Sequence, residues 1–198
     1  MDGEREDDES SQRALDEPLD GELLARSAAG DREAFERIVI RHGSLALRVA
    51  RRLAPDRHTA EDIAQEALVR VWTRAGDFDA DRARFTTWLY RIVVNLVIDV
   101  RRRSRSERLP EHYDAADPAP GAEECLELDE RYAALWDARE ALPARQRAAL
   151  VLVYDEGLSG TEAAEVLGVS TKAVERLLAR ARAQLRERMQ PGITRQER

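Results

Sequence analysis

The stretch Leu158–Met189, LSGTEAAEVLGVSTKAVERLLARARAQLRERM, leaves this chain few folds to choose from. Ser159 is placed to cap a short helix running to Leu167. Gly168 supplies a residue that tolerates positive φ in a tight turn, and Ser170 can cap a second, longer helix. Ala164, Gly168, Val174 and Leu177 fall where a helix-turn-helix needs a small contact residue, a turn glycine and two apolar anchors. At 100° per residue the second helix gathers Val174, Leu177, Leu178, Ala181 and Leu185 on one stripe. Lys172, Arg176 and Ala179 point away from that stripe, with Arg180 on its flank and Arg182 and Arg186 further along. A small, basic outward face suits the major groove of duplex DNA.

The rest of the chain reads as helix too. The length of 198 residues, 43% hydrophobic content, 36% charged content and few aromatic residues favour an all-α fold of two small domains, the C-terminal one the helix-turn-helix. Residues 1–20 form an acidic tail with the composition of disorder. Residues 21–103 contain four predicted helices: Gly21–Ala29, Arg32–Leu53 capped by Asp31, a third from a Thr59-x-x-Asp62 start to about Ala75, and Phe85–Arg103. Gly76–Arg84 reads as a polar loop. Residues 104–121 hold Pro110, Pro118 and Pro120 and read as a flexible acidic linker. Residues 122–190 complete the second domain: Ala122–Glu140, a helix opened by Pro143 at its first position and running to about Asp155, and the helix-turn-helix. Residues 191–198 are a short tail.

Charge is sorted along the chain. The formal net charge of −7 argues against a nucleic-acid binder, but residues 1–20 alone carry −7. Arg82–Arg108 carries +6 and Lys172–Arg188 carries +4. Two basic patches are the electrostatic footprint of a polyanion binder. The single cysteine, Cys125, excludes an internal disulfide framework and argues against a cysteine zinc site. His42, His58 and His112 have no metal-ligand spacing, and no glycine-rich phosphate loop is present. No cofactor, metal or enzyme activity is implied. No apolar run spans a membrane and no signal peptide is visible, so a cytoplasmic protein without membrane insertion is expected.

Two helix faces carry further chemistry. The third helix places Ile63, Ala64, Ala67, Leu68 and Val71 on one side and Asp62, Gln65, Glu66 and Val69 on the other, a plausible docking ridge for a protein. The fourth buries Phe85, Leu89, Ile92, Val93 and Leu96. Its opposite side carries Arg91, Asn95, Ile98 and Arg102 beside Trp88. Aromatic rings stack on unpaired bases while arginines hold the backbone, and Arg101–Arg103 extend this strip.

The order TAEDIAQEALVRVW, FTTWLYRIVVNLVIDVRRR, a linker, ALPARQRAALVLVYDEGLSGTEAAEVLGVS and a basic last helix resembles a bacterial RNA polymerase sigma factor of the extracytoplasmic-function group, over about Asp20–Met189. The resemblance implies that Asp62, Gln65 and Glu66 dock on core RNA polymerase. It implies that Phe78, Trp88, Arg91, Asn95 and Arg102, with the loop Gly76–Arg84 as a pocket for a flipped base, read the minus-ten promoter element. It implies that Lys172, Arg176, Arg180 and Arg182 read the minus-thirty-five element as duplex. An anti-sigma protein is the further partner it implies. The segment Lys172–Leu177 departs from the family's commoner Gly-Thr-Val-Lys/Arg-Ser-Arg, which leaves the promoter sequence open, and Ala163 replaces a commoner isoleucine. The competing reading is a helix-turn-helix repressor or response-regulator-like protein that binds duplex DNA without polymerase.

Overall fold

The computed structural model describes residues 18–107, 135 and 137–189. The acidic tail up to residue 17, the proline-rich segment with most of 122–140, and residues 190–198 lie outside the described residues. The chain runs α1 (Asp20–Ala28), α2 (Arg32–Leu53), α3 (Arg57–Thr73), a 3-10 turn (Ala75–Asp77), α4 (Phe85–Glu107), α5 (Ala144–Leu150) continuing into a π-helical turn (Val151–Asp155), α6 (Gly160–Leu167) and α7 (Thr171–Met189). No strand occurs among the described residues, as the all-α expectation required.

Local chemistry sets the helix ends. Asp31 accepts a hydrogen bond from the Ala34 N–H at 3.1 Å, the cap expected of it. Helix α2 stops at Leu53 because Ala54 precedes Pro55 and takes an extended conformation, φ −74° and ψ 157°. The start of α3 differs from expectation. Asp56, not Thr59, is the cap: its carboxylate accepts from the Thr59 N–H at 2.8 Å and from the Thr59 hydroxyl at 2.7 Å. Thr59 thus supports the cap from inside the first turn. Pro143 sits one position earlier than expected. It is the extended residue ahead of α5, and its carbonyl accepts from Gln146 and Arg147.

Small residues let the first four helices pack closely. Ala34, Ile38, Ala46, Val49, Ala50 and Leu53 of α2 are buried, against Ala60, Ile63, Ala64, Ala67 and Val71 of α3. Phe35, expected in the core, is only half-buried.

Helix α4 is buried on two faces. Phe85, Leu89, Val93 and Leu96 of the expected stripe are buried, while Ile92 is only half-buried. Tyr90, Val94 and Val97 repeat the same spacing one residue later and are also buried. Two stripes offset by 100° make an apolar arc wide enough for two neighbours. Helices α2 and α3 take one side and α5 and α6 the other. The two helical units therefore share one buried cluster that runs from Leu23 to Val174.

Polar contacts sit at the edge of this shared face. The Glu156 side chain is 2% exposed. It accepts from Arg48 Nη2 at 2.9 Å, Arg52 Nη1 at 3.1 Å and Tyr90 Oη at 3.0 Å. Burial pushes its carboxyl up, but the hydrogen bonds from Arg48 and Tyr90 and the Arg48 and Arg52 charges outweigh burial and hold it below its ordinary value. Burial and the Glu156 charge push the Tyr90 hydroxyl up to about 12. Nearby, Arg101 donates to the Leu53 carbonyl at 3.0 and 2.9 Å and to Glu140 at 3.0 Å. Arg147, whose side chain is 1% exposed, pairs with Glu140 as well.

Removing the Glu156 charge should loosen the contact between the units. Glu156→Gln is expected to lower unfolding free energy by about 1–2 kcal/mol, below the full cost of breaking a buried pair because Arg48 and Arg52 are half in solvent. The pH dependence has a definite sign. A depressed carboxyl contributes stability above its unfolded value of about 4.3, and that contribution disappears as pH falls through its lower folded value. Denaturant titrations of wild type and Glu156→Gln should therefore differ at pH 7 and converge under acid. Equal curves at pH 7 would remove the role given to this carboxylate.

Candidate functional site

Three surfaces present the residues singled out by the sequence. The first is the ridge on α3. Asp62, Gln65 and Glu66 are all exposed on one face. Asp62 pairs with His58 at 3.1 Å and Glu66 with Arg70 at 2.8 Å, each one helical turn away. Such exposed pairs are weak and exchange readily for a partner's charges. Val69 is 49% exposed on the same face. Beside Gln65 and Val69 lies an open apolar groove of about 420 Å³ that also includes Arg32, Phe35, Leu68 and Trp72. Phe35 and Trp72 meet edge to face with centroids 4.9 Å apart. Sequence reasoning missed this groove. The available signal was Trp72 one turn beyond Leu68 and Val69, on the edge of the ridge rather than the core.

The second surface joins the loop before α4 to the exposed side of α4. Phe78 reaches from the loop to Trp88, with ring centroids 5.4 Å apart, and both lie 6.0 Å from Phe85. Phe85 is buried, while Phe78 and Trp88 are half-buried. Arg91 and Asn95 continue the strip as exposed side chains one and two turns beyond Trp88. Arg102 lies farther along, exposed and paired with Asp99 at 3.2 Å. The structure thus brings Phe78, Trp88, Arg91 and Asn95 together and sets Arg102 at the far end. Arg101 is a correction to the basic strip. It turns inward, because the last carbonyls of α2 lack helical partners and a cation satisfies the one at Leu53.

The third surface is α7. The turn before it forms as expected. Ser159 accepts from the Glu162 N–H at 3.2 Å while Glu162 accepts from the Ser159 N–H at 2.9 Å. Gly168 adopts φ 63°, and Ser170 accepts from the Ala173 N–H at 3.2 Å. Val174 and Ala181 are fully buried, and Leu177, Leu178 and Leu185 are partly buried. Lys172, Arg176 and Arg180 are exposed at four-residue spacing on one stripe. Arg182 is exposed but falls on the opposite flank, beside Glu175, since two residues turn a helix by about 200°. None of these four cations makes an ion pair among the described residues.

Among the described residues no group of three or more His, Cys, Asp or Glu side chains could hold a metal ion. No helix there is long and apolar enough to cross a membrane. What the surfaces offer is binding: an acidic ridge with an apolar groove, an aromatic and cationic strip, and a cationic helix.

The Sigma-70 region 2 family model matches residues 38–107, and the Sigma-70, region 4 model matches residues 132–185. The chain is 37% identical over 172 residues to the ECF RNA polymerase sigma factor SigM of Mycobacterium tuberculosis, covering 85% of this chain and 84% of that one. It is 40% identical over 170 residues to the ECF RNA polymerase sigma factor SigE of Mycolicibacterium smegmatis, covering 81% of this chain and 64% of SigE. A solved structure of CnrH in complex with the cytosolic domain of CnrY superimposes with a TM-score of 0.61 at 33% identity, over 85% of this chain and 95% of CnrH.

Replacing Gly168 with alanine tests the turn. Nothing lies within 4 Å of the added Cβ, so the only cost is its positive φ. Gly168→Ala should lower unfolding free energy by about 1 kcal/mol in a denaturant titration. A neutral result would show that the turn between α6 and α7 can relax freely.

Proposed function

The chain belongs to the extracytoplasmic-function group of RNA polymerase sigma factors, proteins that direct promoter-specific transcription initiation, and from that premise we propose how its three surfaces divide the work. The ridge Asp62, Gln65 and Glu66 docks on core RNA polymerase, with the Phe35–Trp72 groove taking apolar side chains of the same partner. The strip Phe78, Trp88, Arg91 and Asn95, continued by Arg102, takes the opened minus-ten element. Lys172, Arg176 and Arg180 read the minus-thirty-five element in the major groove, with Arg182 on the neighbouring phosphates. The chain supplies no chemistry of its own; polymerase carries out nucleotidyl transfer in the cytoplasm.

The observation that carries this reading is the difference between the two cationic surfaces. One pairs arginine with half-buried aromatic rings at a loop, the combination that holds unstacked bases. The other is a smooth cationic helix after a tight turn, the combination that enters an intact groove. A repressor of duplex DNA has use for the second surface alone.

Geometry adds a condition. Elements centred about 25 base pairs apart lie roughly 85 Å apart at 3.4 Å per pair. A compact chain of this length has a radius of gyration of about 16 Å. The face that α4 shares with α5 and α6 must part before both elements are bound at once. Polymerase, by holding each unit, makes the second DNA contact effectively intramolecular. CnrH is bound by a cytosolic protein domain; a partner of the anti-sigma kind that competes for these surfaces is expected here too, in a stress-response circuit.

Two substitutions test the division. Arg180→Ala should cost about 1–3 kcal/mol of minus-thirty-five binding by the holoenzyme, read as a lost footprint over that element. Replacing Asp62, Gln65 and Glu66 together with alanine should abolish co-purification with core polymerase while circular dichroism keeps its helical signal. An intact footprint in the first case, or normal polymerase binding in the second, contradicts the corresponding assignment.

A further inference from the structure

Helix α1 lies along the loop that precedes α4 and meets it at both ends. Near its start, a Cβ on Gly21 would stand 2.9 Å from the Ala80 Cβ, closer than side chains approach, so α1 and the loop touch there through a glycine. Near its end, Ala28 lies where a Cβ on Gly76 would meet it at 3.7 Å, ordinary contact distance. The helix thus spans the loop from Gly76 to Ala80.

A chain of side chains ties the same helix to the aromatic cluster. The Asp20 carboxylate pairs with Arg41 at 2.6 Å and with His42 Nε2 at 2.9 Å. His42 is buried and packs edge-on against Phe85, with ring centroids 4.7 Å apart. Phe85 in turn contacts Phe78 and Trp88. Leu23 and Leu24 already anchor α1 in the buried core, so neither the glycine contact nor the Asp20–His42 pair is what holds the helix to the first unit.

We propose that α1 is a positioning element for promoter opening: its Gly21–Ala80 contact and its Asp20–His42–Phe85 chain hold the loop 77–84 and the Phe78 ring in place to receive an unstacked base. This rests on the reading that the loop and Trp88 take the minus-ten element. Pre-ordering the loop removes an ordering cost from the step in which a base leaves the duplex, so α1 acts on opening and not on docking to polymerase or on minus-thirty-five contact. Residues of α1 touch no nucleic acid in this account; they act through the loop.

The test uses holoenzyme formed from core polymerase and the full chain, on a promoter mapped from the host genome. Gly21→Ala puts a methyl group into the Ala80 contact, although alanine is the better helix former. Permanganate reactivity of thymines in the minus-ten region should then appear about tenfold more slowly. The minus-thirty-five footprint and core affinity should stay within twofold of wild type. The double variant Gly21→Ala/Ala80→Gly, which restores the space, should recover most of the opening rate. Asp20→Asn, which adds no bulk, should slow opening about threefold. Trp88→Ala serves as the reference for the reading beneath the proposal. Normal opening by Gly21→Ala and Asp20→Asn beside a defective Trp88→Ala overturns the role of α1 and leaves the minus-ten assignment standing. Normal opening by Trp88→Ala overturns both. A parallel loss of opening, footprint, core affinity and melting temperature in Gly21→Ala, without recovery in the double variant, shows general unfolding and also overturns the proposal.

Discussion

The two-sided burial of α4 is the constraint on which the rest of the structure depends. Leu89, Val93 and Leu96 are buried on one stripe and Tyr90, Val94 and Val97 on the next, and the helix packs against α2 and α3 as well as α5 and α6. Each such side chain contributes about 1.5–3 kcal/mol when fully buried. That gain is large against the few kcal/mol by which domains are stable. With both inner faces committed, only one side of α4 is left for solvent, and that side carries Arg91, Asn95 and, at its edge, Trp88. The position of the aromatic and cationic strip follows from what the helix must bury.

The electrostatics of the shared face give it a different character from its apolar centre. Glu156 is covered and takes three donors from the other unit, yet two of those donors remain half in solvent. An ion pair of that kind adds direction more than strength. It fixes how α5 and α6 lie on α4 while leaving the contact separable. Separability matters to the proposed function, in which one closed body is too short to reach two promoter elements. The same arginines, Arg48 and Arg52, would face water or a partner once Glu156 leaves.

Much of this was legible from residue order. The helix-turn-helix could be placed to the residue, since Ser159, Gly168 and Ser170 act through contacts three or four positions away. The exposed ridge on α3 and the cationic stripe on α7 follow from helical periodicity alone. The second stripe of α4 was also present in the sequence, as Tyr90, Val94 and Val97, but nothing local says whether a wide apolar arc has one neighbour or two. The cap of α3 was displaced because Asp56 and Thr59 are both good candidates, and the winner depends on where the chain emerges from Pro55. What no local pattern could supply were the pairings across long separations: Glu156 with Arg48 and Tyr90, Arg101 with Leu53, and Gly21 against Ala80. Arg101 is instructive, because a run of three arginines reads as one patch while the helix turns one of them inward.

The central claim is that one polypeptide contacts two separate promoter elements, and does so only when polymerase holds it. Footprinting on a promoter from the host genome tests this most directly, with the chain alone, core polymerase alone and the two combined. The account predicts protection of both elements, with start-site RNA synthesis, only in the combined sample. Tight, sequence-specific protection of one duplex site by the chain alone, or initiation by core enzyme that the chain does not change, would contradict it.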